Sequence, residues 1–171
     1  MSEPLWAPWR MEYVLSKREG GCVFCGHAAA DETTFAEEHV LVATEEAFVV
    51  LNKYPFAAGH LLVIPRRHAG ELETLSAAEH DALFRLTRDA AVRLRRAVSA
   101  QGLNIGLNLG KSAGAGIGEH LHVHIVPRWD GDTNFMPVLA DVRVMPQHLQ
   151  QTFRHLYPFF LDIPGRRAKT P

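Results

Sequence analysis

The chain has 171 residues, 47% of them hydrophobic and 22% charged, with a formal net charge of −1. That length suits one globular domain with its own core, and the near-neutral charge excludes a bulk basic field for long nucleic acid. A small anionic ligand stays open because it needs only local donors, whereas no apolar run approaches the roughly 18–20 residues that span a bilayer.

In chain order, Met1-Ser2-Glu3-Pro4-Leu5-Trp6 lacks the basic and apolar regions of a signal peptide, so a cytoplasmic protein is expected. Residues 1–21, with Trp6, Trp9 and Tyr13, read as an arm with aromatic anchors that needs a groove on this chain or on a partner subunit. The two cysteines follow as Cys22-x-x-Cys25, too few for a disulfide scaffold and suggestive of metal or redox chemistry. Short β segments are predicted at His39–Ala43, Ala47–Leu51 and His60–Ile64; the last two are joined by turn-forming residues 53–59 as an antiparallel pair. Ser76 to Ala100 is the strongest helix. Ser76 and Glu79 match a capping box, and Leu83, Leu86, Ala90, Leu94 and Ala97 recur at helical spacing. Arg85, Arg88, Arg95 and Arg96 fall largely off that stripe and read as a solvated face. Further strands are expected from Gly102 to Leu109 and over residues 120–126, separated by a Gly-rich loop at 110–118. A short helix is expected over Gln147–Phe160, and residues 162–171 read as a disordered tail. Strands first and last around one long helix, without βαβ alternation, favour an α+β fold with an antiparallel sheet.

The chemistry concentrates in Glu119-His120-Leu121-His122-Val123-His124-Ile125-Val126-Pro127-Arg128-Trp129. On an extended segment alternate side chains share a face, so three imidazoles line one side, roughly 7 Å apart along the strand, and three aliphatic residues face the core. Such a row could ligate a metal or supply a neutral imidazole as a nucleophile. The preceding Asn108-Leu109-Gly110-Lys111-Ser112-Ala113-Gly114-Ala115-Gly116-Ile117-Gly118 favours the nucleophile. Its glycines let backbone amides converge on phosphate oxygens, and Ser112 and Asn108 add side-chain donors. The loop precedes a strand, so it is neither a Walker A loop nor a dinucleotide fingerprint.

These residues resemble the histidine triad superfamily. The likeness extends over Phe48-Val49-Val50-Leu51-Asn52-Lys53-Tyr54-Pro55 and Ala58-Gly59-His60-Leu61-Leu62-Val63-Ile64-Pro65, covering about residues 22–130. The run from Asn108 through Trp129 to Gly131-Asp132-Thr133-Asn134-Phe135 is similar to the bacterial branch related to diadenosine tetraphosphate phosphorylases and hydrolases. The resemblance implies a five-stranded antiparallel sheet with one long and one or two short helices over residues 22–161, usually as a homodimer. It implies that His122 forms a nucleotidyl-histidine intermediate and that His124 binds the α-phosphate. Asn52 would take the ribose, Phe24 would line the base pocket, and Asn108, Ser112, Gly114 and Gly116 would hold phosphates. An adenine nucleotide is the favoured substrate, and water or inorganic phosphate would release it; no organic cofactor is implied. Many relatives carry Gln where this chain has Gly116, which leaves the second acceptor open.

For the cysteine pair, His27, His39, His68 and His120 are all candidate partners by sequence. The more distant galactose-1-phosphate uridylyltransferases are similar in pairing a Cys-x-x-Cys with two histidines. That likeness implies a structural zinc held by Cys22, Cys25, His68 and His120, closed and not catalytic. His60 reads as structural, and His80, His148 and His155 as surface residues. Rival readings are a nucleoside phosphoramidate hydrolase or nucleotidyltransferase of the same superfamily, and a zinc-stabilised nucleotide-binding module without turnover.

Overall fold

The computed structural model describes residues 21–29, 32–113, 120–132 and 148–167. The aromatic arm of residues 1–20, Gly114, Gly116 and the Thr133-Asn134-Phe135 motif lie outside them.

Five strands of the described residues form one antiparallel sheet in the order β1-β2-β3-β5-β4. They are β1 (Val40–Ala43), β2 (Ala47–Leu51), β3 (Leu61–Pro65), β4 (Gly102–Leu107) and β5 (Val123–Arg128). The continuous apolar runs of β2 and β3 are buried at every residue, as strands covered on both faces require. They pair in the expected antiparallel register, with Phe48 opposite Ile64 and Val50 opposite Leu62. At one edge, β4 leaves Asn104, Ile105 and Gly106 exposed.

The described helices are α1 (Val23–Ala28), α2 (Phe35–Glu38), α3 (Ala77–Ala97) and α4 (Leu149–Leu156). Ser76 caps α3 as expected: its hydroxyl accepts the Glu79 N–H, and the Glu79 carboxylate accepts the Ser76 N–H. The helix buries Leu83, Leu86, Ala90 and Leu94 against β2, β3 and β5. Each such leucine contributes about 1.5–3 kcal/mol by leaving water. Arg85, Arg88, Arg95 and Arg96 are exposed. The helix stops before the expected Ala100 because Ser99 takes a φ of 49° and the Ala100 N–H turns back to the Arg95 carbonyl.

Two further differences concern segment ends. The strand expected at 120–126 runs from Val123 to Arg128. Residues 120–122 leave the ladder because β3 pairs only as far as Val123, and the Leu121 N–H instead donates to the Ala69 carbonyl. At the C-terminus, α4 is followed by a 3₁₀ turn at Tyr157–Phe160. The chain then continues in contact with the fold: Ile163 is buried, the Arg167 N–H donates to the Ala43 carbonyl, and the Arg166 guanidinium reaches Glu32 and the Tyr157 hydroxyl. Packing therefore extends past residue 161 into the segment read as a tail.

Candidate active site

Alternation along β5 separates core from chemistry. Val123, Ile125 and Pro127 are buried, and Pro127 approaches the same Gly59 that Leu94 of α3 approaches. His124 therefore projects from the sheet face opposite α3. Gly59 itself has a φ of 84°, and a Cβ there would lie 3.4 Å from Leu94. A glycine thus lets the turn after β2 pass under α3 and deliver His60 beside the histidine row.

The hydrogen bonds fix which nitrogen of each ring holds the proton. His122 Nδ1 is 2.9 Å from the His120 carbonyl, which can only accept, so Nδ1 carries hydrogen and Nε2 presents a lone pair. The Phe56 N–H donates to His60 Nδ1 at 3.1 Å, which leaves His60 Nε2 as the protonated nitrogen. His60 Nε2 then donates to His124 Nδ1 at 2.9 Å. His124 is consequently protonated on Nε2, a buried donor that meets no acceptor among the described residues. The rings of His122 and His124 lie 4.9 Å apart, so a lone pair and a donor sit side by side. Burial lowers the pKa of His122 below the usual imidazole value. His124 is lowered to about 4 by burial and then by His122. Both rings are therefore neutral near neutral pH.

Around the row, Phe24 is 4% exposed, and its ring lies 5.3 Å from His122 and 5.7 Å from His120. Asn52 follows β2; its Oδ1 accepts the Tyr54 N–H at 2.9 Å, and its amide nitrogen lies 3.2 Å from His60 Nδ1. The expected phosphate donors are less gathered. Asn108 is half-buried just beyond β4, and Ser112 is exposed in a 3₁₀ turn at Lys111–Ala113. No hydrogen bond among the described residues joins either to the histidines. Gly114 and Gly116 lie outside the described residues.

The second cluster is adjacent. His120 Nε2 donates to the Pro65 carbonyl at 2.9 Å, so its Nδ1 lone pair faces Cys22 Sγ at 3.3 Å and Cys25 Sγ at 3.7 Å. His68 Nδ1 lies 3.3 Å from Cys25 Sγ. The four ligand atoms all fall within 4.8 Å of one another. Ligand edges of about 3.3–3.8 Å are expected around a tetrahedral ion with 2.0–2.3 Å bonds, so this donor set could hold a metal. His27 and His39 stand apart from the cluster; His27 Nδ1 lies 2.7 Å from a Glu38 carboxylate oxygen.

His60, expected to be structural, is buried and is the residue that orients His124 through its Nε2–H. The signal that could have found it is its place one residue before β3, whose partner strand β5 carries His124.

The family profile described as "HIT domain" matches residues 33–131. The chain is 39% identical over 163 residues to a protein of Mycobacterium tuberculosis (strain ATCC 25618 / H37Rv) described as AP-4-A phosphorylase; the match covers 89% of this chain and 81% of that one. It is 36% identical over 93 residues to the asymmetrical bis(5'-nucleosyl)-tetraphosphatase of Schizosaccharomyces pombe, covering 54% of this chain and 50% of that one. Among solved structures, a Zn-bound histidine triad family protein from Mycobacterium smegmatis is similar with a TM-score of 0.65 and 27% sequence identity, over 82% of this chain and 93% of that chain.

Proposed function

The chain belongs to the HIT domain family, and on that premise we propose that it cleaves dinucleoside polyphosphates, with adenine nucleotides favoured, at the α-phosphate. The observation that carries this reading is the proton arrangement: His122 offers Nε2 as a lone pair while its Nδ1–H is held by the His120 carbonyl. His122 Nε2 attacks the α-phosphorus, the bond from that phosphorus to the bridging oxygen breaks, and the remaining polyphosphate leaves with that oxygen. Positive charge developing on the ring is opposed by the His120 carbonyl already bonded to Nδ1. The Nε2–H of His124 donates to a phosphate oxygen as charge gathers there. In the second step an oxygen of the acceptor attacks phosphorus, the P–N bond breaks, and the ring electron pair returns to Nε2.

Inorganic phosphate is the proposed acceptor. The support is the M. tuberculosis phosphorylase, matched along 81% of its length. In this scheme Phe24 walls the base, Asn52 takes the ribose, and Asn108, Ser112, Gly114 and Gly116 cradle phosphates. Cys22, Cys25, His68 and His120 hold a structural zinc that ties α1 to the sheet and takes no part in turnover. A homodimer is proposed as well; the exposed edge of β4, with Ile105 50% exposed, supports it. A cytoplasmic location fits two thiols free of a disulfide, and no described helix is long and apolar enough to cross a membrane.

The test is incubation with diadenosine tetraphosphate, with and without phosphate, read by chromatography. ADP and ATP are expected only when phosphate is present, and His122→Ala is expected to keep the fold and abolish turnover. AMP and ATP formed without phosphate would make water the acceptor; full activity in His122→Ala would overturn the covalent scheme.

A further inference from the structure

Two phenylalanines flank the histidine row, and the reaction above uses one of them. Phe24 is buried at the His120 and His122 end. Phe56 stands at the other end, its ring 6.0 Å from His124 at an interplanar angle of 24° and 4.8 Å from His60. Its backbone is held as well, because the Phe56 N–H donates to His60 Nδ1. Even so, 53% of Phe56 is exposed. A single exposed apolar side chain is ordinary. One that lies against the proposed phosphate-binding histidine, with backbone and ring both oriented, presents a flat apolar surface beside the reacting atoms.

The proposed substrate class supplies something to cover that surface. A dinucleoside polyphosphate has a base at each end. If one base sits by Phe24, the other departs with the leaving group. That second base is joined to the α-phosphorus by a flexible polyphosphate, and stacking on an aromatic ring tolerates any base because every base has a π-face. We propose that Phe56 is the platform on which the base of the departing nucleotide stacks, making the site selective for substrates with a base at both ends. This rests on the reading of His122 as the nucleophile at the α-phosphate.

The experiment compares kcat/KM for diadenosine tetraphosphate and adenosine 5'-tetraphosphate, which has the same phosphate chain and one base. Wild type, Phe56→Ala, Phe56→Leu and Phe56→Trp are measured, each checked for folding by thermal denaturation. Both aliphatic variants are expected to lose about tenfold on the two-base substrate and less than about twofold on the one-base substrate, while Phe56→Trp keeps the wild-type preference. Equal losses on both substrates would overturn the platform, since Phe56 would then act through His60 and His124. No loss on either would overturn it too. A wild-type protein that cleaves neither substrate would instead remove the reading of His122, and the platform with it.

Discussion

A neutral imidazole has one donor and one acceptor nitrogen, so a single backbone partner decides what the other nitrogen can do. The His120 carbonyl and the Phe56 amide play that part for His122 and, through His60, for His124. The same burial that keeps these rings neutral makes stability depend on pH. The folded pKa of His124, about 4, lies below its ordinary 6.5. Between those values the unfolded chain binds a proton that the folded chain does not, so stability is full above the upper value and falls as pH drops through the window. Urea unfolding from neutrality down to about pH 5 should show this loss, and His124→Gln should reduce the proton uptake on unfolding by up to about one. An unchanged pH dependence in the variant would mean that His124 is not held neutral. The nucleophile candidate and its nearness to His124 were legible in His120-x-His122-x-His124, but the expected three-residue face of one strand was not formed, because β5 begins at Val123 and His120 turns to the cysteines. The role of His60 was not legible, because it depends on a strand register that brings residues 64 positions apart within hydrogen-bonding distance.

At the scale of elements, local pattern and tertiary position agree wherever a segment is long or uniformly apolar. The runs Ala47–Leu51 and His60–Ile64 read as an antiparallel pair, which β2 and β3 form, and the apolar stripe of α3 packs against them. Ends were less legible because they are set by partners distant in sequence: β5 begins where β3 stops pairing, and the segment after Leu161 is held through Glu32, Ala43 and Tyr157. The start of α3 is an exception, since its capping box is local. Ser76→Ala removes the acceptor for the Glu79 N–H and should cost about 1 kcal/mol, while Glu79 keeps Arg67 as an ion partner at 2.6 Å. Equilibrium denaturation should register the loss with kcat/KM unchanged. A parallel fall in activity would show that α3 does more than support the sheet.

For the whole molecule, the cysteine and histidine cluster connects three segments that share no secondary structure: the start of α1, the turn after β3 and the approach to β5. Spacing pointed to the cysteines and left four histidines open; the likeness to the uridylyltransferases implied His68 and His120, and the fold brings those two, not His27 or His39, to the cysteines. An ion bound there would favour the folded chain by mass action, because the unfolded chain does not present the four ligands together. It would also hold Phe24, which lies between the two cysteines and packs on His122. Two measurements follow from this one arrangement. Metal analysis of the purified protein should give about one zinc per chain, lost on strong chelation with a fall in Tm of several degrees. Cys22→Ser should lower metal content and Tm in the same way, and it should weaken AMP binding because the base wall loses its anchor. Readdition of zinc should restore the chelated wild type but not the variant. If the chelated protein kept its Tm and its AMP affinity, the cluster would be a set of packed thiols and rings, and the position of Phe24 would rest on the hydrophobic contacts of α1 alone.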